Sequence, residues 1–208
     1  MAETRSDADI QGSLQKPGAG VPLHHKLVMR YIVRPIVAGK LGWEKDSEGF
    51  GRIAGKIIKD YESLSEEQRT KRVLVPPQFG LEDSSRYWSA AMLLEHMLIV
   101  SQGIASLVVP LSKNIVPDYE VEMARVKPKG QMSAQEALTK FRAYSATAMG
   151  ELDKVVGDRN AKATLLHPWF GPFTARQWHW MMTAHAVVHL NQLRAICWRL
   201  NPPKMPAK

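Results

Sequence analysis

Three histidines near the centres of two apolar segments are the residues best suited to do chemistry. His185 and His189 are four residues apart, so on an α-helix they share one face, separated by about 40°. His96 lies in an earlier apolar segment, and all three fall inside the apolar stripe of their predicted helix. A histidine pair on one helix and a third histidine on its neighbour can hold a divalent metal through three nitrogens. The pattern therefore predicts a metal site with coordination positions open for water or substrate.

Ordinary core packing is the alternative interpretation of these histidines. A single histidine on an apolar face is usually a hydrogen-bonded core residue, and the HxxxH spacing alone arises easily by chance. Three inward-facing histidines at one level, with no carboxylate beside them, are harder to explain because burying unpartnered imidazoles costs a few kcal/mol. We therefore favour the metal site.

Other residues near the predicted metal site are candidates for its surroundings. Gln192 shares the histidine face of the last helix, where an amide can orient a ligand or the substrate. His167 precedes that helix and either lines the mouth of the site or caps a turn. The remaining candidates for the pocket are Trp178, Met92 and Ser89.

The remaining histidines and the cysteine give weaker signals. His179 falls about 120° from His185 on the helical wheel and is predicted to be exposed. His24 and His25 lie near the start of the first helix, where surface and site both stay open. Cys197 lies more than two turns from the histidine pair, and we favour a buried inert thiol over a nucleophile. No residue is assigned as a general base, and the sequence has no phosphate-binding glycine motif or HExxH motif.

Helix-capping signals define the elements that must position these residues. Ser133 with Glu136 and Thr174 with Gln177 form capping boxes, Asp83 or Ser84 caps an earlier helix, and Ser65 begins a short turn. Strand-like alternation is nearly absent, so we predict an all-α fold: a four-helix bundle with extra short helices. The predicted helices cover about 22–39 (with a kink at Pro35), 83–109, 133–156 and 174–200, with a shorter one over 52–64.

The chain of 208 residues fits one domain, predicted over 21–200, between a disordered arm (1–20) and a flexible tail (201–208). A single cysteine excludes an intramolecular disulfide and fits a reducing compartment. The first twenty residues lack the apolar core of a secretory signal, so we predict a cytoplasmic protein.

The segment 90–111 is long enough to cross a membrane, but it contains Glu95 and His96. A buried core helix is the better interpretation, and no membrane association is expected.

A net charge of +8 raises the alternative of a non-catalytic basic module that binds nucleic acid or a protein. Such binding needs clustered charge, and the basic residues are spread along the sequence without a helix-turn-helix or stacking-aromatic pattern. We therefore do not favour a nucleic-acid partner. Tight binding to random duplex DNA with a steep salt dependence would revive this alternative.

Two segments resemble a known family. HPWFGPFTARQWHWMMTAHAVVHLNQL, from His167 to Leu193, resembles the final helix of the DinB-like metalloenzyme superfamily and the loop before it. WSAAMLLEHMLIV, from Trp88 to Val100, resembles the second helix of that family. The resemblance implies an up-down-down-up bundle that binds zinc, nickel or iron through His96, His185 and His189. It also implies relatives that act as transferases or isomerases with a low-molecular-weight thiol as cosubstrate.

The leading hypothesis is therefore a metal-dependent transferase or hydrolase acting on a small molecule. Thiol transfer is preferred on the resemblance alone.

The segment 50–72 lies outside the predicted bundle and carries the apolar side chains of Ile53, Ile57, Ile58 and Tyr61. These side chains must cover the metal pocket or meet a second subunit. We predict a homodimer, since closed two-fold dimers are the commonest soluble assemblies and relatives are often dimeric. The alternative is a monomer with this segment as a lid.

Overall fold

Helices make up most of the chain in this computed structural model, which describes residues 6–202. The predicted all-α class is confirmed at this level, since the described residues contain only two short hairpins besides helices. The helices are α1 (Asp7–Gly12), α2 (Leu23–Val28), α3 (Arg34–Ile36), α4 (Trp43–Glu62), α5 (Glu66–Thr70), α6 (Ala90–Ser112), α7 (Ala134–Val155) and α8 (Ala175–Leu200). The strands are β1 (Val73–Leu74), β2 (Tyr87–Trp88), β3 (Thr164–His167) and β4 (Gly171–Thr174).

The four long helices enclose the core. Helix α8 packs against α4 and α6, and α7 packs against α6 and α4. The largest fully buried side chains come from all four helices, and they include Phe50, Leu93, Phe141, Met182 and Leu193. Burial of these apolar side chains supplies the main driving force for the packing.

The fourth long helix of the core is α4, whereas the prediction assigned this role to the segment 22–39. The prediction placed 52–64 outside the core, but α4 begins nine residues earlier, at Trp43, and buries Phe50, Ile57 and Tyr61 completely. Three glycines within it, Gly49, Gly51 and Gly55, lower the intrinsic helix propensity, which explains why the sequence pattern understated the helix. Because Ile57 and Tyr61 pack inside their own chain, they form neither a lid nor a subunit interface.

The segment 22–39 is interrupted at its centre. Helix α2 passes through a π-helical turn (Met29–Val33) into α3, where the Arg34 amide donates to the Met29 carbonyl. Pro35 has no amide hydrogen, so the kink expected there takes the form of this wider turn and a short α3. Several large apolar side chains of this segment are exposed, among them Leu23, Tyr31 and Ile36.

Helix α6 begins later and ends later than predicted. Asp83–Ser85 forms a 3₁₀ turn instead of a cap, and Tyr87–Trp88 pairs antiparallel with Val73–Leu74. The cap is Ser89, whose hydroxyl accepts from the Met92 amide, and the helix continues through Pro110 to Ser112. Proline in the last turn removes one amide donor without stopping the helix.

The capping boxes predicted at Thr174 and Ser65 are present, and only the serine half of the box predicted at Ser133 forms. Thr174 and Gln177 satisfy each other's backbone amides at the start of α8, and Ser65 and Gln68 do the same at α5. At α7 the Ser133 hydroxyl accepts from the Glu136 amide. These caps fix where the helices start and therefore which side chains reach the core.

Helix α6 is long and apolar enough to cross a membrane by length and composition. Most of that apolar stretch is buried against other parts of the chain, including both Glu95 and His96. The core helices of globular proteins have the same composition, which agrees with the interpretation of α6 as a buried core helix.

Residues 6–20 differ from the predicted disordered arm. Asp7 accepts a hydrogen bond from the Tyr87 hydroxyl at 2.6 Å, and the Gln15 amide donates to Asp83 at 2.8 Å. The Gly20 amide donates to the buried Glu82 carboxylate at 2.6 Å. Hydrogen bonds to carboxylates hold this polar segment against the rest of the chain. The prediction of disorder considered only the lack of apolar side chains, so it missed these bonds. Residues 1–5 of the arm and 203–208 of the tail lie outside the described residues.

Tyr61 offers a test of the α4–α7 packing. Its hydroxyl is fully buried and donates to the Ala134 carbonyl at 2.8 Å. Changing Tyr61→Phe is expected to lower the free energy of unfolding by ~1 kcal/mol, because the bond is lost while the ring still fills its site. Urea unfolding measures the change, and the exposed Tyr31→Phe serves as the control. Equal stability of both variants would contradict the buried bond.

Candidate metal centre

The three predicted histidines meet in the structure. His96 comes from the middle of α6, and His185 and His189 come from the middle of α8. The Nε2 atoms of His96 and His185 are 3.1 Å apart, and the three ring centroids are separated by 4.3 to 5.0 Å. One ligand atom from each ring lies within 4.8 Å of the other two, so a single ion can reach all three.

Hydrogen bonds fix the ring nitrogen that two of these histidines present. His96 Nδ1 lies 2.7 Å from the Val126 carbonyl, which can only accept, so Nδ1 carries the hydrogen. Gln192 Nε2 donates to the Ser85 carbonyl at 2.7 Å, which turns Gln192 Oε1 toward His189 Nδ1 at 2.7 Å. His189 Nδ1 must then donate as well. Both rings therefore present the lone pair of Nε2, as a metal ligand must.

His185 completes the fit to a metal ion. Its Nε2 faces that of His96 at 3.1 Å, where two lone pairs would repel unless a proton or a cation lies between them. Two nitrogens bound to one metal at about 2.05 Å are about 2.9 Å apart in octahedral and about 3.3 Å apart in tetrahedral geometry. The observed separation lies between these values. His185 Nδ1 is buried and has no hydrogen-bond partner among residues 6–202.

The cluster favours uncharged imidazoles. Burial lowers the pKa of His189 to about 4, although the Gln192 hydrogen bond opposes this shift. Burial, followed by the neighbouring histidines, holds the pKa of His96 and His185 well below the usual value. Neutral imidazole is the form that binds metals, so the site is in its binding form at neutral pH.

A buried ion pair beside the cluster was not predicted from the sequence. Lys127 pairs with Glu82, and its ammonium donates to the Ser85 hydroxyl at 2.6 Å. Hydrogen bonding and the charge of Lys127 outweigh burial and lower the pKa of Glu82. Lys127 also lies over the ring of Trp88, which packs against His96. Both charged residues come from irregular segments, where no periodicity marks a buried side chain.

The other predicted pocket residues divide into two groups. Trp178 and His167 line the same cavity as the three histidines. His167 Nδ1 also accepts from the Trp169 amide at 3.1 Å, so the two interpretations of His167, pocket lining and turn capping, hold together. Ser89 and Met92 do not line this cavity. Ser89 caps α6, and Met92 lines a separate cavity next to Trp88.

The prediction of an exposed His179 is wrong. Its ring is buried and stacks on Trp43 with 3.7 Å between centroids, and its Nε2 lies 3.1 Å from the Ser47 hydroxyl. Helix α4 covers this side of α8, which the helical wheel treated as solvent-facing. Cys197 is half-buried, and burial raises the pKa of its thiol, which agrees with the inert thiol that we favoured.

Comparison of this chain with protein-family models, curated proteins and solved structures finds no match. The functional argument therefore depends on the geometry of the site.

Gln192 links the cluster to the backbone and offers a test of the ligand geometry. Changing Gln192→Leu removes the acceptor for His189 Nδ1, so we expect metal affinity to fall about 10–100-fold. Gln192→Glu keeps an acceptor and is expected to retain most of the affinity. Competition against a chromophoric chelator measures it, with the exposed Asn191→Leu as control. Unchanged affinity in Gln192→Leu would show that Gln192 does not orient His189.

Proposed function

We propose that this protein is a metal-dependent enzyme of the DinB-like type, in which His96, His185 and His189 hold one divalent transition metal ion. The observation that carries the proposal is the convergence of three neutral imidazoles, two of them with Nε2 freed by hydrogen bonds at Nδ1. The four long helices would form the up-down-down-up bundle of that family, with α4 as one member. Zinc, nickel and iron all accept imidazole ligands, and three nitrogens without thiolates do not select one of them.

The chemistry follows from the ligand set. A divalent ion on three neutral imidazoles keeps positions open and supplies Lewis acidity to a bound water or thiol. The protein contributes the fixed orientation of His96 and His189, together with the mostly apolar cavity that these histidines line. Lys127 lies beside the site as an ion pair with Glu82. We prefer transfer that involves a low-molecular-weight thiol over hydrolysis, on the resemblance to the DinB-like family.

Metal analysis is the direct test. Protein purified without chelators is expected to carry about one transition metal ion per chain, since three imidazoles make one site. Protein stripped and reloaded with Co²⁺ is then titrated with glutathione, and a sulfur-to-cobalt charge-transfer band is the expected result for a thiol cosubstrate. Failure to retain zinc, nickel, iron or cobalt after dialysis would overturn the metal centre. Retained cobalt without the band would argue against glutathione as cosubstrate and favour hydrolysis.

We propose a homodimer, located in the cytoplasm. The segment expected at its interface is buried in its own chain, so exposed apolar residues of α2 and α3 are the better candidates for the contact. These are Leu23, Leu27 and Ile36. Light scattering at micromolar concentration is expected to give twice the chain mass of 23.4 kDa. A mass of one chain would reject the dimer.

A further inference from the structure

The cavity that contains the histidines is large and mostly apolar. Its volume is about 540 Å³, within the roughly 300–1,000 Å³ range of small-molecule sites. One wall is a single stripe of α6 formed by His96, Val100, Gly103, Ile104 and Leu107, spaced so that all lie on one face. At 1.5 Å per residue this stripe extends about 16 Å away from His96.

The opposite walls are apolar as well. They include Met181 and Val188 of α8 and Phe170 from the β3–β4 hairpin, while Trp169, Trp178 and Trp180 place three indoles in the lining. Along α6 the wall changes from the buried His96 to the exposed Gly103 and Ser106, so the cavity opens toward solvent away from the histidines. A side chain at Gly103 would enter open space, since nothing lies within 4 Å of a Cβ built there.

The charged side chains at the histidine end of this cavity cancel one another. Lys127 is the cation there, and the carboxylate of Glu82 neutralises it through their ion pair. The three imidazoles are neutral, so a bound divalent ion would leave the full charge of the metal uncompensated. Asp46, also in the lining, belongs to α4 and lies beside Thr183. An anionic group is the ligand that fits such a centre.

We propose that the substrate of this site is an amphiphilic small molecule, with an anionic head group at the histidines and an apolar chain along the α6 stripe. The proposal rests on the proposed metal-dependent function and adds the class of substrate to it. The apolar chain contributes affinity in proportion to the area that it buries, and the head group places the reacting end beside the metal.

Straight-chain carboxylates are suitable probes. Zinc-loaded protein is titrated with acetate, hexanoate, decanoate and decanol, while tryptophan fluorescence and calorimetry report binding. Decanoate is expected to bind at least about tenfold more tightly than hexanoate, because each buried methylene adds affinity. Decanol is expected to bind at least about tenfold more weakly than decanoate, because it lacks the charge that meets the metal.

A pair of glycine variants tests where the apolar chain of the ligand lies. Gly103→Leu fills the cavity and is expected to weaken decanoate binding at least about tenfold while metal content stays unchanged. Gly150→Leu is the matched control, because Gly150 is exposed on α7, lies outside the cavity and also has open space at its Cβ. It is expected to bind decanoate like the wild type.

The outcomes separate this proposal from the proposed function. Equal affinity for hexanoate and decanoate, or equal binding by both glycine variants, would overturn the amphiphile site even in protein with one metal ion per chain. Protein that binds no metal yet prefers decanoate over hexanoate would contradict the metal-dependent function and support the apolar-chain part of the amphiphile site.

Discussion

Replacing His185 with alanine is expected to reduce the metal content from about one ion per chain to less than about one tenth, because two imidazoles alone hold a divalent ion weakly. His185 is the most informative ligand to remove. Its Nδ1 has no partner within the described chain, so the change removes only the contact of its Nε2 with His96 Nε2. Removal of His96 would instead leave the Val126 carbonyl without its donor. Elemental analysis after dialysis measures the effect.

Two comparisons separate loss of a ligand from loss of the fold. The exposed His24→Ala is expected to retain the metal of the wild type. In the presence of a chelator, His185→Ala is expected to unfold in a single cooperative transition, as the wild type does, because its other packing partners stay in place. Stoichiometric metal in His185→Ala would refute the assignment of His185 as a ligand.

Acidification from pH 7 to pH 4 is expected to destabilise the protein strongly, even without metal. Burial lowers the pKa of His167 to about 3 and that of His179 to about 4, and neither is a proposed ligand. Both titrate near 6.5 in the unfolded chain, so below this pH the unfolded state binds more protons. Their contribution to stability is present above pH 6.5 and is lost as the pH falls toward 4. At ~1.4 kcal/mol per pKa unit, the loss amounts to at most ~6 kcal/mol.

Urea unfolding of chelator-treated protein at several pH values tests this. His179→Phe retains a ring to stack on Trp43 and is expected to show a flatter decline of stability between pH 6.5 and 4. Asp46 has the opposite effect on stability. Burial raises its pKa to about 6, so as the pH falls this carboxylate binds a proton in the folded state before it does so in the unfolded state. The combined effect of His167 and His179 on the free energy of unfolding is larger than that of Asp46. A pH dependence of His179→Phe identical to that of the wild type would contradict the role of His179.

Helical periodicity was sufficient to predict the centre of the site. The apolar stripes showed which way His96, His185 and His189 point, and the capping box at Thr174 fixed the start of α8. The same reasoning failed for His179 because it assumes one buried stripe per helix. Helix α8 packs against both α4 and α6, so it buries more of its circumference.

The rest of the site depends on contacts between residues that are far apart in the sequence. Glu82 and Lys127 lie in irregular segments, and their burial together follows only from the path of the loop that carries Val126. The identity of the fourth long helix was missed for a different reason. The glycines of α4 weaken its local signal, and tertiary packing of Phe50, Ile57 and Tyr61 overrides that weakness.

The attachment of residues 6–20 to the body has a consequence for proteolysis. Cleavage next to the buried Gly20 requires the backbone there to detach, and detachment takes the Gly20 amide away from Glu82. Glu82 in turn pairs with Lys127 beside the histidines. The rate of cleavage next to Gly20 should therefore fall when a ligand fills the metal-site cavity, so limited digestion becomes a reporter of occupancy that requires no knowledge of the reaction.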